Sequence, residues 1–120
     1  IGTTDGPMMA GNCSWECDII GEGGHAATPH HLNDPIVAAS QVVVALQTVV
    51  SRNISPVESV VVSVSQIHAG DVNNVIPNRV RLSGTLRYFH EELCEIAQNS
   101  MIRIVKKTGR IYVLFSTYYI

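Results

Sequence analysis

The sequence predicts an α+β domain: one sheet of four antiparallel strands with two helices on one face. Apolar residues recur at every second position in three stretches and at helical spacing in two others, and a sixth stretch is rich in aromatic and branched residues. Their order is strand, helix, strand, strand, helix, strand. Each helical stretch carries a single apolar stripe, so each has one face to bury against a sheet. This is the split β-α-β arrangement of ferredoxin-like domains. Right-handed crossovers put its first and last strands side by side, with both chain ends close together.

Residues Ile1 to Asn12, with Gly2, Gly6, Pro7 and Gly11, read as a linker or strand entry. Ser14 to Gly21 alternates: Trp15, Cys17 and Ile19 face one way, Ser14, Glu16 and Asp18 the other. Asp34 is placed to cap a helix and Pro35 suits its first position. Ile36, Ala39, Val43, Leu46 and Val50 continue that helix to about Ser51 against the weak helix preference of Val42 to Val44. Ser59 to His68 is a valine-rich strand and Ala69 to Pro77 a loop. In Val80 to Phe89, Val80, Leu82, Leu86 and Tyr88 oppose Arg79, Arg81, Thr85, Arg87 and Phe89. Glu91 and Glu92 open a second helix, with Leu93, Ile96, Ala97, Met101 and Ile104 as its stripe. Lys106, Lys107 and Gly109 close it, and Arg110 to Tyr119 is the last strand. Gly70 and Gly84 read as glycines at close backbone approaches, and Arg79 and Arg81 as surface charges.

The length, 120 residues, fits one domain with a modest core. Hydrophobic residues at 46% and charged residues at 15% describe a globular chain, not a disordered one. The formal net charge of −2, with no basic run, excludes the electrostatic footprint of a nucleic-acid binder. No apolar run approaches the roughly 20 residues of a membrane-spanning helix. The chain runs from Ile1 into an apolar Tyr118-Tyr119-Ile120 with no targeting motif, and reads as a domain excised from a longer protein. On one strand Cys13 and Cys17 would stand about 13 Å apart, beyond the roughly 7 Å Cα limit of a disulfide. With Cys94 they read as reduced thiols, two of them buried, which favours a reducing, cytoplasmic compartment.

The densest chemistry lies in Gly21-Glu22-Gly23-Gly24-His25-Ala26-Ala27-Thr28-Pro29-His30-His31. Glycine admits close approach and unusual backbone, proline fixes φ, and histidine donates, accepts or ligates near neutral pH. Taken alone, His25, His30 and His31 leave open a metal site, a histidine satisfied by its own loop, or a catalytic histidine. Zinc prefers three or four ligands at set geometry, and no second ligand cluster accompanies the stretch. Asn73 and Asn74 likewise suit a turn, and Arg87 a solvated strand position.

Four motifs in register go further. Gly23-Gly24-His25-Ala26-Ala27 with Pro29-His30 and Asp34-Pro35-Ile36, then Leu46-Gln47 and Ser51-Arg52, Asn74-Val75-Ile76-Pro77, and Gly84-Thr85-Leu86-Arg87 resemble the dimerisation, or lid, domain of the zinc-dependent amidohydrolases. That family includes aminoacylases, hippurate hydrolases, indole-acetyl-amino-acid hydrolases, and carboxypeptidase and succinyl-diaminopimelate desuccinylase relatives. The likeness runs from about Gly6 to Phe89; beyond it only the element types agree.

The resemblance implies that residues 1–120 are one domain inserted into a catalytic domain that lies outside this sequence. That catalytic domain would hold two zinc ions, or similar divalent metals, while this one holds no cofactor and is inert alone. It implies a homodimer in which His25 reaches into the neighbouring active site to stabilise the oxyanion of an N-acyl amino acid substrate. Asn74 is implied to contact that substrate near its carbonyl or carboxylate, and Arg87 to bind its free carboxylate. His30 is implied to pin the loop before the helix. Thr28 stands where several relatives carry an aromatic. A free-standing ferredoxin-like ligand-binding or interaction module is the alternative from a different functional class.

Overall fold

The structure, a computed structural model, describes residues 11–107 and 110–119, and for 110–112 and 117–119 their main chain only. The linker expected before Gly11 and the helix-closing Gly109 lie outside the described residues. The elements run β1 (Gly11–Ile20), β2 (Gly24–His25), a 3-10 turn (Pro29–His31), α1 (Pro35–Leu46), α2 (Thr48–Asn53), β3 (Val60–Ala69), β4 (Val75–Ile76), β5 (Arg79–Tyr88), α3 (Glu91–Lys106) and β6 (Arg110–Tyr119). The large sheet has the strand order β3-β5-β1-β6, all neighbours antiparallel. The first and last large strands are therefore adjacent, and Gly11 pairs with Tyr119. This is the expected α+β, ferredoxin-like sheet, with a separate ribbon of β2 against β4 added to it.

The core lies on the helical face. Cys13, Trp15, Cys17 and Ile19 of β1 stand opposite Leu86, Gly84, Leu82 and Val80 of β5, and all are buried. The indole of Trp15 fits because Gly84 presents no side chain, and its Nε1–H donates to the Thr85 carbonyl at 3.3 Å. A Cβ on Gly84 would run into the Ser63 carbonyl, so the expected close approach is real there. Gly70 differs: nothing lies within 4 Å of a Cβ there, and its φ of +76° is what requires glycine. On the opposite, polar face Arg81 donates to both oxygens of Asp18, at 2.8 and 3.0 Å. These hydrogen bonds hold the Asp18 carboxyl below its ordinary range, so Arg81 is a paired charge and not a free one.

Both helices bury a stripe rotated from the expected one. In α1 and α2 the buried residues are Pro35, Ala39, Val42, Leu46 and Val49, whereas Ile36 is 42% exposed. With valine or isoleucine on nearly every side of this segment, periodicity cannot locate its inner face. In α3, Leu93, Ala97, Met101 and Val105 form a four-residue ladder against the sheet, with Cys94 beside it. Ile96 is thereby left outside.

The first helix is also two helices. At Gln47 the main-chain N–H turns to the Val44 carbonyl at 3.2 Å, and the Gln47 side chain takes the Val43 carbonyl at 3.0 Å. Thr48 Oγ1 takes the Ala45 carbonyl at 2.7 Å. Side-chain donors thus compete for carbonyls exactly where valines make the helix weak, and the turn tightens. Asp34 caps α1 as expected, its Oδ1 accepting from Ile36 N–H at 2.8 Å, with Pro35 in the first turn. Among the described residues no helix is long and apolar enough to cross a membrane.

Cys13, Cys17 and Cys94 are all buried and unpaired, one more than expected. Burial pushes the Cys17 thiol up to about 12 from its ordinary 9.0. The unfolded chain therefore loses this proton first, and native stability should fall as pH rises from about 9 towards 12. A thiol reagent at pH 8 should label none of the three until denaturant is added. Rapid labelling of Cys17 in the native state would contradict the packing. Asp34→Ala should cost about 1 kcal/mol, read by denaturant titration, from loss of the cap.

Candidate functional site

The Gly/His stretch is fixed at its base by main-chain bonds. Gly21 N–H donates to the Asn78 carbonyl and Gly23 N–H to Asn78 Oδ1, each at 2.8 Å. Between them Glu22 pairs with Asn33 in both directions, at 2.8 and 3.0 Å. Gly23 lies against the Ile76 and Pro77 carbonyls, where a side chain would collide with main chain. The chain then forms β2, with Gly24 opposite Ile76 and His25 opposite Val75. One residue on, Ala26 N–H donates to the Asn74 carbonyl at 3.0 Å.

This ribbon brings together His25 and Asn74, which lie 49 positions apart in the sequence. Both are exposed. The His25 carbonyl accepts from Thr28 N–H and Thr28 Oγ1 at 3.0 and 3.2 Å, closing a tight turn behind the imidazole. His25 Nδ1 accepts a long bond, 3.5 Å, from Ala27 N–H. That contact leaves Nε2 as the ring nitrogen available to donate. A cleft of about 410 Å³ adjoins the ribbon, lined by Ala26, Ile36, Ala69, Asp71, Asn73 and Val75 among others.

Arg87 is elsewhere. It sits near the far end of β5, opposite Asn12 of β1 and Val61 of β3, and is exposed. From Arg79, beside the ribbon, to Arg87 is about 26 Å at the usual rise of a strand. One chain therefore does not converge its three expected substrate residues. His30 and His31 stack tilted with centroids 4.1 Å apart, both exposed in the 3-10 turn. Main-chain bonds, His31 to Thr28 and Leu32 to Pro29, hold that turn, so the pinning role expected of His30 belongs to the backbone. Among the described residues no three histidine, cysteine, aspartate or glutamate side chains gather as metal ligands.

Residues 9–113 match the family model of the peptidase dimerisation domain. The chain belongs to the M20 peptidase family. An M20 relative from Lactococcus lactis, an N-acetyldiaminopimelate deacetylase, is 42% identical over 93% of this chain and 30% of its own length. An N-acetyl-L-cysteine deacetylase from Bacillus subtilis is 46% identical over 78% of this chain and 22% of its own. A solved Bacillus subtilis structure, described as a dinuclear metal-binding peptidase of the M20 family, superposes with a TM-score of 0.66 at 27% identity. It is covered over 28% of its chain by 98% of this one. The M20 dimerisation domain seen here thus spans less than a third of the length of these relatives.

Sequence reading did not find Asn78 or Asn33, because their contribution is an acceptor at a particular place and carries no pattern in the chain. Gly23→Ala should break the ribbon: amide exchange across 24–26 and 74–76 should accelerate while the large-sheet amides stay protected. Unchanged protection in the ribbon would show that Gly23 is not packed as described.

Proposed function

We propose that residues 1–120 are the dimerisation and substrate-capping domain of a two-domain, metal-dependent amidohydrolase. The parent enzyme hydrolyses the amide bond of N-acyl amino acids, and this domain alone is inert. The deacetylase relatives support the substrate class. On this reading the metals, two zinc ions or similar divalent cations, and the water nucleophile belong to the catalytic domain. The described residues of this chain offer no ligand cluster. Family membership supports this reading over a free-standing module.

The carrying observation is the ribbon: it fixes an exposed His25 with Nε2 free to donate, next in the chain to Ala26, whose N–H bonds the main chain of an exposed Asn74. An Nε2–H aimed at the substrate carbonyl oxygen binds it more strongly as negative charge develops, and so lowers the barrier. The Asn74 amide supplies a donor and an acceptor to the same substrate. The Arg87 guanidinium suits the free carboxylate of the amino-acid half.

A substrate of this size cannot span 26 Å, about the length of β5 from Arg79 to Arg87, so His25 and Arg87 serve one site only across two chains. β3 has an unpaired edge, and α1 beside it exposes Ile36, Val37 (55%) and Val44 (72%). Antiparallel pairing of β3 with a second copy would set the Ala69 end of one chain, which carries the ribbon, against the Val60 end of the other, next to Arg87. The homodimer thereby builds each site from His25 and Asn74 of one protomer and Arg87 of its partner.

In the whole enzyme His25→Ala should lower kcat about a hundredfold or more, with zinc content unchanged. Wild-type kcat in that variant would refute the role. Mixing His25→Ala and Arg87→Ala protomers should restore about one quarter of wild-type activity, because half the dimers are mixed and each of those keeps one intact site. No restoration would mean both residues come from one chain. Val44→Asp should shift the dimer towards monomer in sedimentation; an unchanged dimer would place the interface elsewhere.

A further inference from the structure

We infer that Asn78 is the positioning residue that aims His25, an inference that rests on the role proposed for His25 above. The ribbon cannot orient itself. β2 and β4 are two residues each, and a two-stranded ribbon of that length has little stability of its own. Its direction is therefore set where it leaves the large sheet.

At that point one residue accepts two donors. The main-chain carbonyl of Asn78 takes Gly21 N–H and its side-chain Oδ1 takes Gly23 N–H, both at 2.8 Å. In extended chain, amides two apart point to the same side and the one between points away. Gly21 and Gly23 accordingly face Asn78, and Glu22 faces Asn33. The Oδ1 bond is the last fixed point outside the ribbon itself before His25, two residues on. It requires an acceptor of asparagine length at position 78, since the partner is an N–H. Asn78 is itself exposed at the sheet end and is assigned no contact with substrate.

The prediction is specific to this geometry. In the full-length, metal-loaded enzyme Asn78→Ala should lower kcat about tenfold or more, as a displaced catalytic group does, while KM changes little, because His25 acts on the transition state. Asn78→Asp keeps the acceptor and should stay within about threefold of wild type, the conservative rescue that a role through Gly23 requires. In a His25→Ala background Asn78→Ala should cost nothing further, since there is no imidazole left to aim. If Asn78→Ala fails to fold by circular dichroism, Asn78→Gln carries the test: the same amide moved by one methylene should show the same loss in kcat.

Wild-type kcat in Asn78→Ala or Asn78→Gln would overturn the inference, as would an equal loss with and without His25. A His25→Ala enzyme with wild-type kcat would instead overturn the role of His25 itself, and this inference with it.

Discussion

The register of β1 against β5 is the constraint on which the rest of the structure depends. Trp15 lies opposite Gly84, and from there the pairing runs without a break to Ile20 opposite Arg79. A slip of one residue would turn Cys13, Trp15, Cys17 and Ile19 out of the core together and drive Ser14, Glu16 and Asp18 into it. That exchange is too costly for the register to wander. Because Ile20 meets Arg79, Gly21 meets Asn78, and the connection beyond each strand starts from a fixed place. The separate ribbon of β2 and β4 starts from that place, one residue out of the large sheet's register.

The two edges of the large sheet are unlike. β3 and β6 each pair on one side only, β3 with β5 and β6 with β1. β3 carries a bulge at Ser65, between Val64 and Gln66. A bulge shifts which residues face the helices, so Ile67 joins the helical side at the edge, where it is 58% exposed. Alongside, α1 exposes Ile36, Val37 and Val44. An isolated monomer gains nothing from a row of branched apolar side chains next to unpaired main chain. Both features are what a domain that joins two copies presents.

Most of the secondary structure was legible from residue pattern. The alternations in β1 and β5, the Asp34-Pro35 start of α1 and the acidic first turn of α3 are local physics, and the elements stand where that physics put them. The break at Gln47 was not legible, because it arises from side chains competing for particular carbonyls. Nor were the inner faces of α1 and α3, since a run such as Val42-Val43-Val44 is apolar on every side. Two stretches read as loops, Gly21 to His31 and Ala69 to Pro77, contain the two strands of the ribbon, each too short for any periodicity.

Sequence by itself determined the fold class, the family likeness and the identity of His25, Asn74 and Arg87 as the residues to watch, because motifs at fixed spacing and strand and helix periods are written along the chain. Only the tertiary structure decided how they are grouped. Hydrogen bonds between segments about fifty residues apart put the His25 strand beside Asn74, and Asn78 anchors the chain that leads to His25. The length of β5 keeps Arg87 away from them. Distance in space follows from register and strand length, and a one-dimensional pattern carries neither until the strands are paired.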